Sequence, residues 1–178
     1  MAILTNQAGT WTLDPSHTRL GFSARHAMVT KVRGGFNEFT GTVVADGENS
    51  KVDVTVQTAS IDTRNADRDG HLRTNDFFDP EKYPEIKFSS TSIKEISDGL
   101  EITGDLTIKD VTKSVTIPFE FAGVATDPFG NERAGFEGSI QINRTDWNLN
   151  WNSPLDTGGV LVSEKVTLEF EVSAIKQS

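Results

Sequence analysis

Side chains with chemical potential are few and widely spaced in this 178-residue sequence. The histidines are His17, His26 and His71. No two of them stand at i,i+2 or i,i+4 and no HExxH pattern occurs, so no metal-ligating signature is present. His17 follows Asp14-Pro15-Ser16, a spacing that reads as a turn histidine fixed by hydrogen bonds. Cysteine is absent, which removes disulfides, thiolate nucleophiles, iron–sulfur clusters and cysteine zinc sites together. No serine sits in a GxSxG elbow, and neither GxGxxG nor a P-loop pattern occurs, so acyl-enzyme and nucleotide-phosphate chemistry have no support. The expectation is no catalytic residue, no metal and no cofactor, and therefore no enzyme.

One stretch stands apart, Asn143-Arg144-Thr145-Asp146-Trp147-Asn148-Leu149-Asn150-Trp151-Asn152. Up to Ile142 the even positions are apolar. From Arg144 they are polar, and Trp147, Leu149 and Trp151 hold the odd ones. A strand exchanges faces only through an extra residue or a turn. Either a bulge lies near Arg144–Thr145, or Arg144 and Asp146 face inward. Inward placement sets a guanidinium where an anionic head group could bind. An internal Arg144–Asp146 ion pair at a barrel corner fits the same spacing.

The elements that must position these groups are strands. Period-2 alternation runs through Leu20-Phe22-Ala24-His26, Val52-Val54-Val56, Leu100-Ile102-Gly104-Leu106-Ile108, Val115-Ile117-Phe119-Phe121, Phe136-Gly138-Ile140-Ile142 and Val166-Leu168-Phe170-Val172. Segments 34–45 and 85–96 complete about eight strands, separated by turn pairs such as Asp46-Gly47, Asp98-Gly99 and Lys109-Asp110. Each strand has one apolar and one polar face, as antiparallel strands with one wet side do. The predicted fold is all-β. A short helix or loop excursion lies around 62–84, where charge is dense and Leu72, Phe77 and Phe78 are the large apolar residues. That excursion reads as a solvated connection pinned by Phe77-Phe78 or as a lid over a cavity. Residues 1–9 read as a tail and 10–176 as one domain. Eight strands can form a sandwich or a barrel, and a barrel of that size either fills with side chains or holds one small ligand. Gly104 and Gly138 stand at inward positions, where they leave space or mark bends.

The balance of 17 Lys+Arg against 26 Asp+Glu gives a net charge of −9. Nucleic acid is excluded as a partner, because its affinity comes from cations on phosphates. An anionic membrane surface would repel the chain as a whole, and no apolar run approaches the ~18–20 residues of a span. The start of the sequence has no basic n-region, so the expected location is cytoplasmic.

Several motifs then appear in order: Asp14-Pro15-Ser16-His17 after Trp11; Arg25-His26-Ala27-Met28-Val29-Thr30-Lys31-Val32-Arg33-Gly34 with Phe36; Asp69-Gly70-His71-Leu72; Asp76-Phe77-Phe78-Asp79; Tyr83-Pro84; Gly104-Asp105-Leu106-Thr107-Ile108 leading to Val111-Thr112-Lys113; Asn143 to Trp147; and Thr157-Gly158-Gly159-Val160-Leu161-Val162. Together they resemble the YceI-like family, the bacterial polyisoprenoid-binding proteins, along nearly the whole chain. The resemblance implies an eight-stranded antiparallel lipocalin-like β-barrel whose interior binds an isoprenoid lipid, a quinone or polyprenyl phosphate, for transport or storage. Leu20, Phe22, Phe36, Ile102, Leu106, Ile117, Phe119, Phe136, Ile140 and Phe170 are then expected to line the cavity. Arg25, His26, Arg33, Arg144, Asp146 and Trp147 are expected near the head group or mouth, with Phe36 and Trp147 as gates. Stable membrane insertion is not expected, and a homodimer is left open. Two departures from the family pattern are the missing signal segment and Trp147-Asn148 where Phe-Gly is common. The competing reading is a solid-cored barrel serving as a stress-protective or protein-interaction module. A weaker one is an enzyme on an apolar substrate, with His17 or His26 as acid/base.

Overall fold

The alternating segments become strands because Val, Ile, Thr and Phe suit a pleated surface, and one apolar face per strand requires a shared interior. In the structure, a computed structural model that describes residues 2–178, these are β1 (Gly9–Leu13), β2 (Arg19–His26), β3 (Thr30–Phe36), β4 (Phe39–Ala45), β5 (Lys51–Gln57), β6 (Ile61–Asp62), β7 (Glu85–Ile96), β8 (Gly99–Ile108), β9 (Val111–Thr126), β10 (Glu132–Asn143) and β11 (Val162–Lys176). Two short helices accompany them, α1 (Ile3–Asn6) and α2 (Ala66–Leu72).

Antiparallel pairing runs β1-β4-β5-β7-β8-β9-β10-β11, and β1 pairs with β11 to close an eight-stranded barrel. β11 is long enough to pair twice. Ala174–Lys176 hold β1, while Val162–Glu171 hold β2, from which β3 and then β6 extend. The switch between β1 and β2 is the Asp14-Pro15-Ser16-His17 turn, where the Asp14 carboxylate accepts from the Ser16 amide at 2.9 Å. Segment 34–45 is not one strand: it breaks at Asn37-Glu38, whose amides donate to the carbonyl and hydroxyl of Ser60.

The end of the barrel beneath β1 is packed shut. Trp11, Ala134 and Ala174 form one buried cluster, and the Trp11 indole N–H donates to the Gln7 carbonyl at 2.8 Å. The segment read as a tail is folded over this floor. In α1, Ile3 and Leu4 are buried against Val52, Leu100 and Ile102, and the Leu4 amide donates to Glu95 Oε1 at 2.7 Å. Burial of two large aliphatic side chains outweighs the weak helix propensity of so short a turn.

The excursion between β6 and β7 is built rather than merely solvated. Asn65 caps α2 by accepting from the Arg68 amide, and Asp67 and Asp69 lie in the first turn, where the helix dipole favours them. Buried Asp69 accepts from the amide and hydroxyl of Thr63, and Arg68 donates to the Thr63 hydroxyl and carbonyl at 2.8 Å. Arg73 reaches the carbonyls of Ala59 and Ile61. These bonds hold Leu72, Phe77 and Phe78 against the barrel core.

Candidate functional site

The inward faces of the strands do not fill the middle of the barrel. A cavity of about 620 Å³ remains, within the roughly 300–1,000 Å³ of small-molecule sites. Leu20, Phe22, Phe36, Ile102, Leu106, Ile117, Phe119, Phe136 and Phe170 line it, joined by Val54, Val56, Ile86, Phe88, Ile108, Val166 and Leu168. It runs from Leu4 above the floor to Trp151 and Leu161 at the opposite end. Ile140 shares the inward parity but packs against the buried cluster and is not part of this lining.

The bore stays open because of how its phenylalanines rest. A methyl placed on Gly138 would lie 2.7 Å from the Phe119 ring; on Gly104, 2.6 Å from the Phe88 ring; on Gly34, 2.6 Å from the Phe22 ring. Each ring lies over a glycine of the adjoining strand, the arrangement by which aromatics cover strand glycines. Of the two readings of Gly104 and Gly138, the one in which the glycines themselves leave the space needs correcting. Phe88 and Phe119 occupy the room above them, and the vacancy is in the axis those rings leave free. Neighbouring rings support one another along the wall, with centroids 5.9 Å apart for Phe22–Phe36 and 5.8 Å for Phe119–Phe170, and Phe136 is backed by Phe121 of the floor cluster at 5.1 Å.

Most polar lining groups gather at the end away from the floor. Arg25 and His26 come from the end of β2; Thr63, Asp67, Arg68 and His71 come from the α2 segment; Arg144 comes from the end of β10. His71 stands edge-on to Trp151 at 4.6 Å and to Phe77 at 5.2 Å, and its Nε2 is 2.8 Å from Asp76 Oδ2. This end can meet a polar group. Apart from Lys87 on β7, the rest of the bore offers only hydrocarbon.

Other positions picked out in the sequence serve the structure or lie off the bore. The face exchange after Ile142 is a 3-10 turn, Arg144–Trp147, capped by the Asn143 side chain. Arg144 is buried and engaged in structure: it donates to the carbonyls of Ser163 at 2.8 Å, Val162 at 3.2 Å and Leu149. Burial draws its guanidinium below the ordinary value, opposed by the field of Glu164. No Arg144–Asp146 ion pair forms among the described residues, and Asp146 does not line the bore. Trp147 is no gate. It is 2 % exposed, and its indole N–H donates to the Leu106 carbonyl at 3.0 Å. Arg33 is exposed and does not reach the bore, because β3 places it on the outer face opposite Ser23. Strand parity gives no hint of Leu72, Phe78, Arg68 and His71 as wall residues. The signal for them was an apolar trio inside a charged segment.

Comparison with known proteins agrees with this architecture. A model of the YceI-like domain family matches residues 11–174. Protein YceI of Escherichia coli O17:K52:H18 is 40% identical over 167 residues, spanning 92% of this chain and 84% of that protein. The crystal structure of a Campylobacter jejuni YCEI protein is 31% identical, with a TM-score of 0.74 over 86% of this chain and 90% of that one. A polyisoprenoid binding domain from Saccharophagus degradans, implicated in plant cell wall breakdown, has a TM-score of 0.73 over 94% of this chain and 98% of that one; at 12% identity the likeness is one of fold.

Proposed function

This chain belongs to the YceI-like domain family, and from that premise we propose that it binds an isoprenoid lipid in the bore, for carriage or storage rather than for chemical turnover. The observation that carries the reading is the asymmetry of the cavity: a continuous hydrocarbon lining with most of its polar groups at one end. A long apolar tail with one polar head matches it, and the polyisoprenoid binding domain from Saccharophagus degradans shares the fold. Covering ~500 Å² of tail is worth on the order of 12 kcal/mol gross. Lost freedom on association takes back several kcal/mol of this. A bore of this kind measures length and width, so selection among head groups falls to Arg25, His26, Arg68 and His71. Quinone and polyprenyl phosphate are both within their reach as hydrogen-bond donors.

Trp151 in the wall provides the test. Delipidated protein is titrated with a detergent-solubilised ubiquinone carrying a long isoprenoid tail, and with the same ring lacking the tail, while tryptophan emission is followed. Saturable quenching by the tailed quinone alone is expected, and it should shrink in Trp151→Phe. Equal quenching by the tailless ring, or none that saturates, would overturn the reading.

A further inference from the structure

The β2–β3 hairpin carries a feature that tail binding does not explain. Its tip is His26-Ala27-Met28-Val29, closed by a bond from the Val29 amide to the His26 carbonyl at 3.2 Å. Ala27 and Met28 have φ of 49° and 69°. Two consecutive left-handed residues define the turn that strongly prefers Asn-Gly, and such a conformation is strained for a residue with a side chain. The sequence holds Ala-Met there nonetheless, and leaves Met28 61% and Val29 75% exposed. Val160, 37% exposed, belongs to the neighbouring connection, where Met28 rests over Gly159. The patch borders the polar end of the bore, since Ala24, Arg25, His26, Leu161 and Val162 are lining residues.

Charge along this hairpin opposes that of the whole molecule. From residue 15 to residue 37 the sequence contains Arg19, Arg25, Lys31 and Arg33 and no carboxylate, within a protein of net charge −9. Arg25 and Lys31 face each other directly across the strands, an arrangement of like charges that destabilises a sheet. Among the described residues no carboxylate lies within ion-pairing distance of Arg25, Lys31 or Arg33. Asp156 and Glu164, each four residues from Val160, are the nearest opposing charges in sequence, and Glu164 lies in the β11 bulge between the partners of His26 and Ala24.

We infer that this tip docks the mouth of the barrel onto an anionic lipid bilayer, with Met28, Val29 and Val160 entering the interface and Arg25, Lys31 and Arg33 facing the head groups. Apolar side chains ringed by cations are the composition that anionic interfaces retain. The acidic remainder of the barrel is repelled by the same surface, which points the mouth toward the membrane. A tail could then pass between bilayer and bore without crossing water. The inference builds on the lipid-binding reading, but docking itself requires no cargo.

The test is sedimentation of the purified protein with vesicles of phosphatidylglycerol and phosphatidylethanolamine, and in parallel with phosphatidylcholine vesicles. Retention on the anionic vesicles alone, declining as salt is raised, is expected. Each cation near such a surface contributes roughly fivefold in affinity, so Lys31→Glu, which also adds an anion, should weaken retention about tenfold or more. The double substitution Ala27→Asn/Met28→Gly installs the pair this turn prefers. It should melt at the same temperature or higher and yet bind the vesicles more weakly, a combination that a purely structural role does not produce. Wild-type protein remaining in the supernatant, or both variants sedimenting like wild type, overturns the inference. A change of oligomeric state in the variants also overturns it, because the tip would then be a contact between copies. Quinone quenching from detergent micelles separates the two readings. Quenching without sedimentation removes docking alone, and sedimentation without quenching removes the lipid-binding reading alone.

Discussion

The floor of the barrel and its bore are walled by similar apolar side chains, yet only the floor is filled. At the floor Trp11 is 2% exposed, and Ala134 and Ala174, directly opposite each other, are each 3% exposed. In the bore Phe22, Phe36, Phe88, Phe119 and Phe170 are only half-buried, because one side of each ring faces the cavity. The partner of the large residue decides the outcome. A tryptophan against small alanines interlocks to the density of an ordinary core. A phenylalanine beside a glycine lies over it and keeps out of the axis. Hydrophobicity is thus common to both regions, and in the bore it is the Cβ missing from the adjoining strand that gives Phe22, Phe88 and Phe119 a place to rest off the axis.

The sharpest way to break this comparison is to truncate the floor. Trp11→Ala removes a fully packed indole and its bond to Gln7, and should lower the free energy of unfolding by ~3–5 kcal/mol in a denaturant titration. Phe119→Ala, which removes a ring already facing a cavity, should cost clearly less. Equal losses would mean that the bore is as tightly packed as the floor.

A smaller effect is expected from adding one methyl to the bore. In Gly138→Ala the new Cβ meets the Phe119 ring and the Pro118 carbonyl, each at 2.7 Å. The ring can yield only toward the axis, so stability should fall by ~1–3 kcal/mol and the bound quinone per folded protein should fall with it. A stability loss with undiminished quinone binding would show that the ring has another place to go, and that the glycine does not keep the bore open.

Much of this was legible in the sequence, for a physical reason. Period 2 assigns each strand residue to one face irrespective of what lies across from it, so Leu20, Phe22, Ile102, Leu106, Ile117, Phe119, Phe136 and Phe170 could be placed inward from alternation alone, and the structure sets them along the cavity. Alternation is silent about partners on other strands. It therefore cannot reveal that Phe119 covers Gly138, that Trp147 is anchored to the Leu106 carbonyl, or that Arg144 serves the carbonyls of Leu149, Val162 and Ser163. It is equally silent about Leu72, Phe78 and His71, which reach the wall through tertiary bonds of the excursion. A summed charge of −9 likewise conceals a cationic hairpin, because the sum discards position.

The two ends also differ in how they hold a structural arginine, and acid separates them. At the switch between β1 and β2, Arg133 donates to Asp14 and Asp127, each at 2.7 Å. At the opposite end Arg144 is held by neutral carbonyls. The Arg133 guanidinium, with the Ser16 hydroxyl, holds the Asp14 carboxyl far below the usual carboxylate range. Arg133 and the amides of Asn131 and Phe129 bring Asp127 down to about 2. A carboxyl whose folded pKa is depressed stabilises the fold above its unfolded value, near ~3.9, and that contribution disappears as pH falls through the folded value. The melting temperature should therefore hold steady from neutral pH to about 4 and fall between about 4 and 2. In Asp127→Asn the curve should start slightly lower and lose less over that window, so that the two converge at its acid end. The shift is expected to be the smallest of these effects, since the pair is reached by solvent and screened. A variant whose melting curve stays parallel to wild type down to pH 2 would place the acid sensitivity elsewhere, and the floor would then owe its closure to apolar packing alone.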